Sequence, residues 1–124
     1  MELIHKDLSE KIIKATLKVY NTLGFGYQEK EFQKALAKEF DLVGLAYIME
    51  LYSDLFYEGQ KIRGYRIDFL VEGKVVVELK VANQVYQKNF FQVNQYLKNH
   101  KLELGLIIVF SPKGVIVRRV VNLK

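Results

Sequence analysis

Two neighbouring stretches, Tyr65-Arg66-Ile67-Asp68-Phe69-Leu70-Val71 and Lys74-Val75-Val76-Val77-Glu78-Leu79-Lys80-Val81, are rich in β-branched and aromatic residues and are parted only by Glu72-Gly73. That pattern predicts an antiparallel hairpin. The apolar residues run almost without a break, as in strands covered on both faces, where an isolated charge is expensive. Asp68, Glu78 and Lys80 therefore need partners, and a divalent cation is the simplest one for two carboxylates to share. With side chains alternating at period two, Arg66, Asp68 and Leu70 are expected on one face of the first strand, and Val76, Glu78 and Lys80 on one face of the second.

Register decides whether the carboxylates can meet. A strict two-residue turn at Glu72-Gly73 would set Asp68 opposite Val77 and turn Glu78 to the other face, whereas one extra loop residue or a bulge sets Asp68 opposite Glu78. The second arrangement is expected, because Gly73 takes positive φ without steric cost and so permits a longer loop.

The 124 residues suffice for one domain, expected over 1–124, with half of the residues hydrophobic and a single proline. No apolar run approaches the length of a membrane span, and Met1-Glu2-Leu3-Ile4-His5-Lys6 lacks the apolar stretch of a signal peptide. With no cysteine, disulfides and thiolate metal sites are excluded, and a cytoplasmic setting is the default expectation. A net charge of +5 favours a polyanionic partner. Lys11, Lys14 and Lys18 fall on one face of a first helix and Lys30, Lys34 and Lys38 on one face of a second, as solvated faces or as surfaces for nucleic acid.

The first helix is expected from about Leu8 to Leu23, with Asp7 and Glu10 spaced as a capping box and an inward stripe of Leu8, Ile12, Ala15, Val19 and Leu23. A second starts near Gln28 and stops before Gly44, burying Phe32, Leu36, Phe40 and Val43, with Glu29 at the edge of that stripe. A long strand from Ala46 to Tyr57 leads into a turn at Glu58-Gly59-Gln60; its aromatics Tyr47, Tyr52, Phe56 and Tyr57 are expected to pack inward. After the hairpin, Gln84 to Asn99 reads as a helix with Tyr86, Phe90, Val93 and Leu97 toward the core and Lys88, Gln92 and Tyr96 as a separate stripe. Strands Leu104 to Phe110 and Val115 to Val121 follow. The intervening helix is a crossover, so the Val75–Val81 and Leu104 strands should be parallel and the other pairs antiparallel.

In that order the elements resemble the core of the PD-(D/E)XK nuclease superfamily, an α/β fold with a central mixed sheet flanked by helices. Gly26-Tyr27-Gln28-Glu29-Lys30-Glu31-Phe32, following Val19-Tyr20-Asn21-Thr22-Leu23-Gly24, further resembles the GxxExxY proteins placed within it, and Gln92-Val93-Asn94-Gln95-Tyr96 is similar to the QxxxY element of RecB-like nucleases. The chain departs from the GxxExxY pattern at Phe32, where tyrosine is usual, and at Tyr20 and Phe25, where histidine and proline are common. The resemblance implies that Asp68, Glu78 and the backbone carbonyl of Leu79 bind Mg²⁺ or Mn²⁺, and that Glu29 completes the acidic cluster or holds a second ion. It implies that Lys80 orients or helps deprotonate the attacking water, and that Gln92 and Tyr96 line the site.

The chemistry of the residues agrees with this. Phosphodiester hydrolysis delivers hydroxide to a highly anionic transition state, for which hard carboxylate oxygens around Mg²⁺ or Mn²⁺ and a neighbouring lysine are suited. His5 and His100 lack zinc-ligand spacing, and no nucleophile elbow or phosphate-binding glycine loop is present. The expected function is DNA phosphodiester hydrolysis by a homodimer, with RNA the alternative substrate and Lys11, Lys14, Lys18 and Lys88 contacting nucleic acid. The alternatives are a catalytically silent nucleic-acid-binding module, in which Lys80 forms a plain ion pair with Glu78 or Asp68, and a self-assembling protein on the same scaffold.

Overall fold

The computed structural model describes residues 3–122. Its elements are α1 (Lys6–Leu23), α2 (Glu29–Val43), β1 (Tyr47–Tyr57), β2 (Gln60–Val71), β3 (Val75–Val81), α3 (Gln87–His100), β4 (Leu104–Ser111) and β5 (Gly114–Val121). The strands form one mixed sheet in the order β1-β2-β3-β4-β5. β3 and β4, joined through α3, are parallel, and every other neighbouring pair is antiparallel, as the crossover requires. The expected span 1–124 thus has two residues at each end outside the description, among them Met1 and Glu2 of the N-terminal hexapeptide. Among the described residues no helix is long and apolar enough to cross a membrane.

Each sheet face carries its own core. On one, Ile12 of α1 and Phe32, Leu36 and Phe40 of α2 pack over Phe69, Val77, Leu106 and Phe110. Phe32, the position where the motif has tyrosine, is fully buried with its ring stacked on Phe110 at 4.0 Å; a hydroxyl there would need a partner in an apolar layer. Tyr20 lies near-parallel to Phe110 at 6.2 Å between ring centroids and donates its hydroxyl to the Ser111 carbonyl at 2.6 Å. On the opposite face Val93, Tyr96 and Leu97 of α3 cover Ile67, Val76, Ile107 and Val109. This helix comes close to the sheet because β4 has Gly105 beneath it: a Cβ there would lie 2.5 Å from Val93 Cγ1.

The hairpin takes the longer loop. Val71 pairs with Val75 and Phe69 with Val77, leaving residues 72–74 as the connection, with positive φ at both Glu72 and Gly73 and a 3.0 Å bond from Lys74 N–H to the Val71 carbonyl. This register brings Asp68 level with Glu78. Strict alternation, by contrast, fails at Asp68. Ile67 packs beneath α3 while Phe69, two residues on, packs beneath α1 and α2; Leu51 and Met49 of β1 divide in the same way. Both strands change the face they present here, and Glu50, between Met49 and Leu51, has φ of 56°. Arg66 and Leu70 therefore do not share a face, contrary to the period-two expectation.

Other expectations are corrected at element ends. α1 starts at Lys6 after a left-handed His5, so Asp7 lies within the first turn and makes no capping box. Gln28 does cap α2, its N–H donating to Glu31 Oε1 at 2.8 Å. Val43, the last residue of α2, is exposed, and Leu45 beyond the Gly44 stop is buried in its place. α3 begins at Gln87 rather than Gln84, because Tyr86 stays extended and donates its N–H to Asn89 Oδ1 at 3.0 Å, which leaves the Tyr86 ring exposed. The aromatics of β1 do not pack inward: only Tyr47 is half-buried, against Phe40 and Phe69, while Tyr52, Phe56 and Tyr57 are 69%, 59% and 69% exposed. The β1–β2 hairpin outruns the helices that would cover them.

Candidate functional site

β2 and β3 part company after the Phe69–Val77 pair. Beyond it the Asp68 side chain replaces the strand ladder, Oδ2 accepting the Leu79 N–H at 2.7 Å. In an extended strand the N–H and C=O of one residue point the same lateral way, so the Leu79 carbonyl also faces the fork. Leu79 packs its side chain with α1 and α2 while Val76 packs beneath α3, which sets Glu78 and Lys80 on the α3 side of β3. Lys80 Nζ lies 3.1 Å from Glu78 Oε2.

Helices reach this fork from both faces. From the α2 side, Glu29 at the first position of the helix lies 3.8 Å from Arg66 Nη2, which is itself 3.5 Å from Asp68 Oδ1. One turn further, the buried Gln33 donates to the Asp68 carbonyl at 3.4 Å. From the α3 side Gln92 donates its amide to the Arg66 carbonyl at 3.0 Å. Glu50, on the other side of β2, pairs with Lys30 at 3.2 Å and with Arg66 at 3.8 Å.

Burial sets the electrostatics. Desolvation, the Asp68 charge and a hydrogen bond with Asp68 push the Glu78 pKa up to about 8, against the opposing pull of Lys80. That bond needs a proton on one of the two carboxyls; with both ionised, Glu78 Oε1 is buried without a donor among the described residues. Burial likewise raises Glu29, with Asp68 adding to it and Lys80 and Arg66 working against it. Burial on its own would lower Lys80, but Glu78, Glu29 and Asp68 outweigh it and the ammonium is held more firmly protonated than usual.

The residues singled out from the sequence thus fall into two groups. Asp68, Glu78, Leu79 and Lys80 meet at the fork, with Glu29 and Gln92 at its margins. Tyr96 is instead buried in the cluster beneath α3, stacked on His100 at 4.2 Å, and burial raises its pKa. Lys11, Lys14 and Lys18 are exposed and line a cavity of about 250 Å³ with Glu39 and Val43, Lys18 bridging to Glu39 at 3.0 Å. Those α2 residues lie ten and fourteen positions past Glu29, roughly 15–20 Å along the helix, so this lysine face is remote from the fork. Lys88, exposed one turn before Gln92, is nearer. Arg66 and Gln33 were not singled out as site residues; their signals were spacing alone, two residues before Asp68 and one helical turn after Glu29.

The fork suits a hard divalent cation. Among the described residues no three acidic or histidine side chains form a ready cage. Two adjacent carboxylates, one with a buried oxygen lacking any donor, plus a carbonyl facing them, match an ion that keeps several waters, as Mg²⁺ does.

Comparison with known proteins agrees in fold. The crystal structure of SSO0001 superposes with a TM-score of 0.50 at 14% sequence identity, covering 94% of this chain and 79% of that chain. At that identity the likeness speaks to architecture alone. No curated protein matches the sequence. The family model described as the PD-(D/E)XK nuclease superfamily, however, matches residues 6–120, which takes in every element from α1 to the end of β5 but its last residue: the chain belongs to the PD-(D/E)XK nuclease superfamily.

Proposed function

We propose that this chain is a Mg²⁺- or Mn²⁺-dependent nuclease hydrolysing phosphodiester bonds in DNA, acting in the cytoplasm, and that within its superfamily it stands with the GxxExxY proteins through Gly26, Glu29 and the Phe32 variant of that motif. The observation that carries the reading is Glu78: a carboxylate buried beside a second one, with one oxygen on Lys80 and the other without a donor among the described residues. A purely structural ion pair gains nothing from an orphaned oxygen next to a like charge. The bound ion would supply Lewis acidity toward the phosphate and a lowered pKa for water.

In this reading Asp68, Glu78 and the Leu79 carbonyl hold the ion. Asp68 is held at both oxygens, Oδ2 by the Leu79 N–H and Oδ1 by Arg66. Lys80 works as a cation, because its pKa is raised; it orients the attacking water by donating to it and offsets charge on the phosphate. Glu29, whose affinity for a proton is raised and which shares the field of Lys80, is suited to take the proton that water gives up. Gln92 holds the Arg66 backbone and thereby the edge of the fork, a positioning role. Tyr96 supports α3 from within the core. Cutting both strands of a duplex needs two such sites, which a homodimer supplies; a single strand needs one.

The test is cleavage of labelled DNA by purified protein with Mg²⁺ or Mn²⁺, alongside Asp68→Asn and Glu78→Gln. Metal-dependent products from the wild type alone are expected. DNA binding with no cleavage under any metal would leave the silent binding module in which Lys80 and Glu78 are only an ion pair.

A further inference from the structure

Among the described residues Arg66 is the cation with the most acidic neighbours. Its Nη2 lies 3.5 Å from Asp68 Oδ1 and 3.8 Å from Glu29 Oε1, and its Nη1 lies 3.8 Å from Glu50 Oε1. One nitrogen thus stands between the carboxylate of β2 and that of the first turn of α2. A second ion shared by Asp68 and Glu29 would have to lie in the same gap, since paired catalytic ions stand only about 3.5–4 Å apart. The arginine is held in place. Its backbone carbonyl accepts the Gln92 amide at 3.0 Å, and its strand pairs it with Tyr52 of β1. Glu50 meets it from a left-handed backbone, φ 56°, which costs a non-glycine residue energy and persists where the surroundings impose it. Lys30 holds the same Glu50 oxygen at 3.2 Å.

Charge decides how many ions such a cluster accepts. Glu29, Glu50, Asp68 and Glu78 face Lys30, Arg66 and Lys80, which leaves one negative charge in excess when all are ionised. A divalent ion and the single charge of a phosphodiester bring that balance to zero. A second divalent ion would leave two positive charges unmatched and would stand against a guanidinium that cannot shed its proton. Arg66 also differs from a plain ion pair. A fork closed on one carboxylate has two bonds of about 2.7–2.9 Å, whereas this guanidinium spreads over three carboxylates at longer range, as a charge set between them.

We propose that the Arg66 guanidinium takes the place of a second cation between Glu29 and Asp68, so that the site carries one divalent ion, held on Asp68, Glu78 and the Leu79 carbonyl. The inference rests on the metal-dependent nuclease reading and fixes its ion count. Arginine supplies charge but coordinates no water, so a single Lewis acid serves the reaction. Glu29 then stays outside the ion's ligand set and is free to accept a proton. Arg66 is a positioning residue, acting on the ion through Asp68 and Glu29.

The experiment counts ions. Mn²⁺ is dialysed to equilibrium against the full chain and its variants Arg66→Ala, Arg66→Gln, Asp68→Asn and the double variant Arg66→Ala with Glu29→Gln. Bound ion, its electron paramagnetic resonance spectrum and each melting temperature are recorded, and ions that Asp68→Asn retains are subtracted as surface binding. The wild type is expected to hold one magnetically isolated ion. Arg66→Ala and Arg66→Gln should hold two, close enough to couple magnetically. Adding Glu29→Gln should return the count to one, a reversal that a merely structural Arg66 would not produce. Two ions on the wild type overturn the proposal, as does a single ion on Arg66 variants that still melt cooperatively. If neither Arg66 variant folds, Arg66 is a structural ion pair and the proposal fails likewise. The two readings fail separately. One ion on a wild type that never cuts DNA removes the nuclease reading and keeps the assignment of Arg66, while ion-dependent cutting by a wild type that holds a coupled pair does the reverse. No ion on the wild type overturns both.

Discussion

The Asp68 carboxylate accepts the Leu79 backbone N–H at 2.7 Å, so the acid proposed to hold the ion also closes the strand ladder where β2 and β3 separate. Structure and chemistry are thereby coupled in one side chain, and substitutions at 68 should separate them. Asp68→Asn keeps an oxygen for the Leu79 N–H and removes charge beside Glu78, so the ion-free melting temperature should hold or rise. Asp68→Ala leaves a buried N–H unpaired and should cost about 1–3 kcal/mol. In the wild type Mg²⁺ or Mn²⁺ should raise the melting temperature, and in neither variant should it do so. Thermal melts with and without the ions check all three statements.

Glu78 gives the ion-free protein a pH dependence of known sign. Its pKa rises from 4.5 to about 8 on folding, so between these values the native state keeps a proton that the unfolded chain has shed. Stability is then greatest below the lower value and falls as pH rises through the window, by at most about 1.4 kcal/mol per pH unit. Glu78→Gln should flatten that decline. Ion affinity should climb over the same range, because the ligand must first lose its proton. Unfolding curves across the window, with and without Mn²⁺, would expose a wrong assignment if wild type and variant declined in parallel.

Lys80 should matter to turnover more than to binding. Lys80→Ala is expected to lower cleavage by about two to four orders of magnitude, with most ion affinity retained. Because Lys80 pulls the Glu78 pKa down, the variant should also shift the pH dependence of ion binding upward. Single-turnover cleavage and ion titration on the same preparation separate the effects; cutting at the wild-type rate would remove Lys80 from the mechanism.

The two sets of lysines should behave differently. Lys88→Ala, on α3 near Gln92, should weaken DNA binding and reduce the salt slope by about one. Lys18→Ala should act mainly on stability, since Lys18 pairs with the largely buried Glu39 at 3.0 Å. Salt-dependent binding isotherms for both variants check this, and a larger slope change at Lys18 would move the DNA path onto α1.

Much of the fork was legible in the sequence because it depends on local rules. The turn at Glu72-Gly73 sets the register, and the crossover helix makes β3 and β4 parallel. The break of alternation at Asp68 was not legible: it comes from a left-handed Glu50 on β1 and a side chain standing in for a ladder bond, neither of which leaves a periodic trace. Period two does give Arg66 the face of Asp68, but spacing alone does not tell an arginine that holds the carboxylate from one that only shares its face. The bare aromatics of β1 were misjudged because hydropathy cannot say how far a hairpin reaches past its covering helices. The GxxExxY resemblance implied that Glu29 completes an acidic cluster or holds a second ion; the side chain lies 3.8 Å from Arg66 at the margin of the fork, a pairing that the motif does not spell out.

Gly105 never touches the fork, yet it governs one side of it. Any side chain there would collide with Val93 and hold α3 off the sheet, and Gln92, the very next residue, would withdraw from the Arg66 carbonyl with the helix. A copy of this domain can therefore keep every acidic residue and its lysine and still lose alignment through a single methyl on a distant strand. An inventory of motif letters is blind to that kind of decay; sorting working from derelict members of such a lineage means reading the spacing between helix and sheet as well.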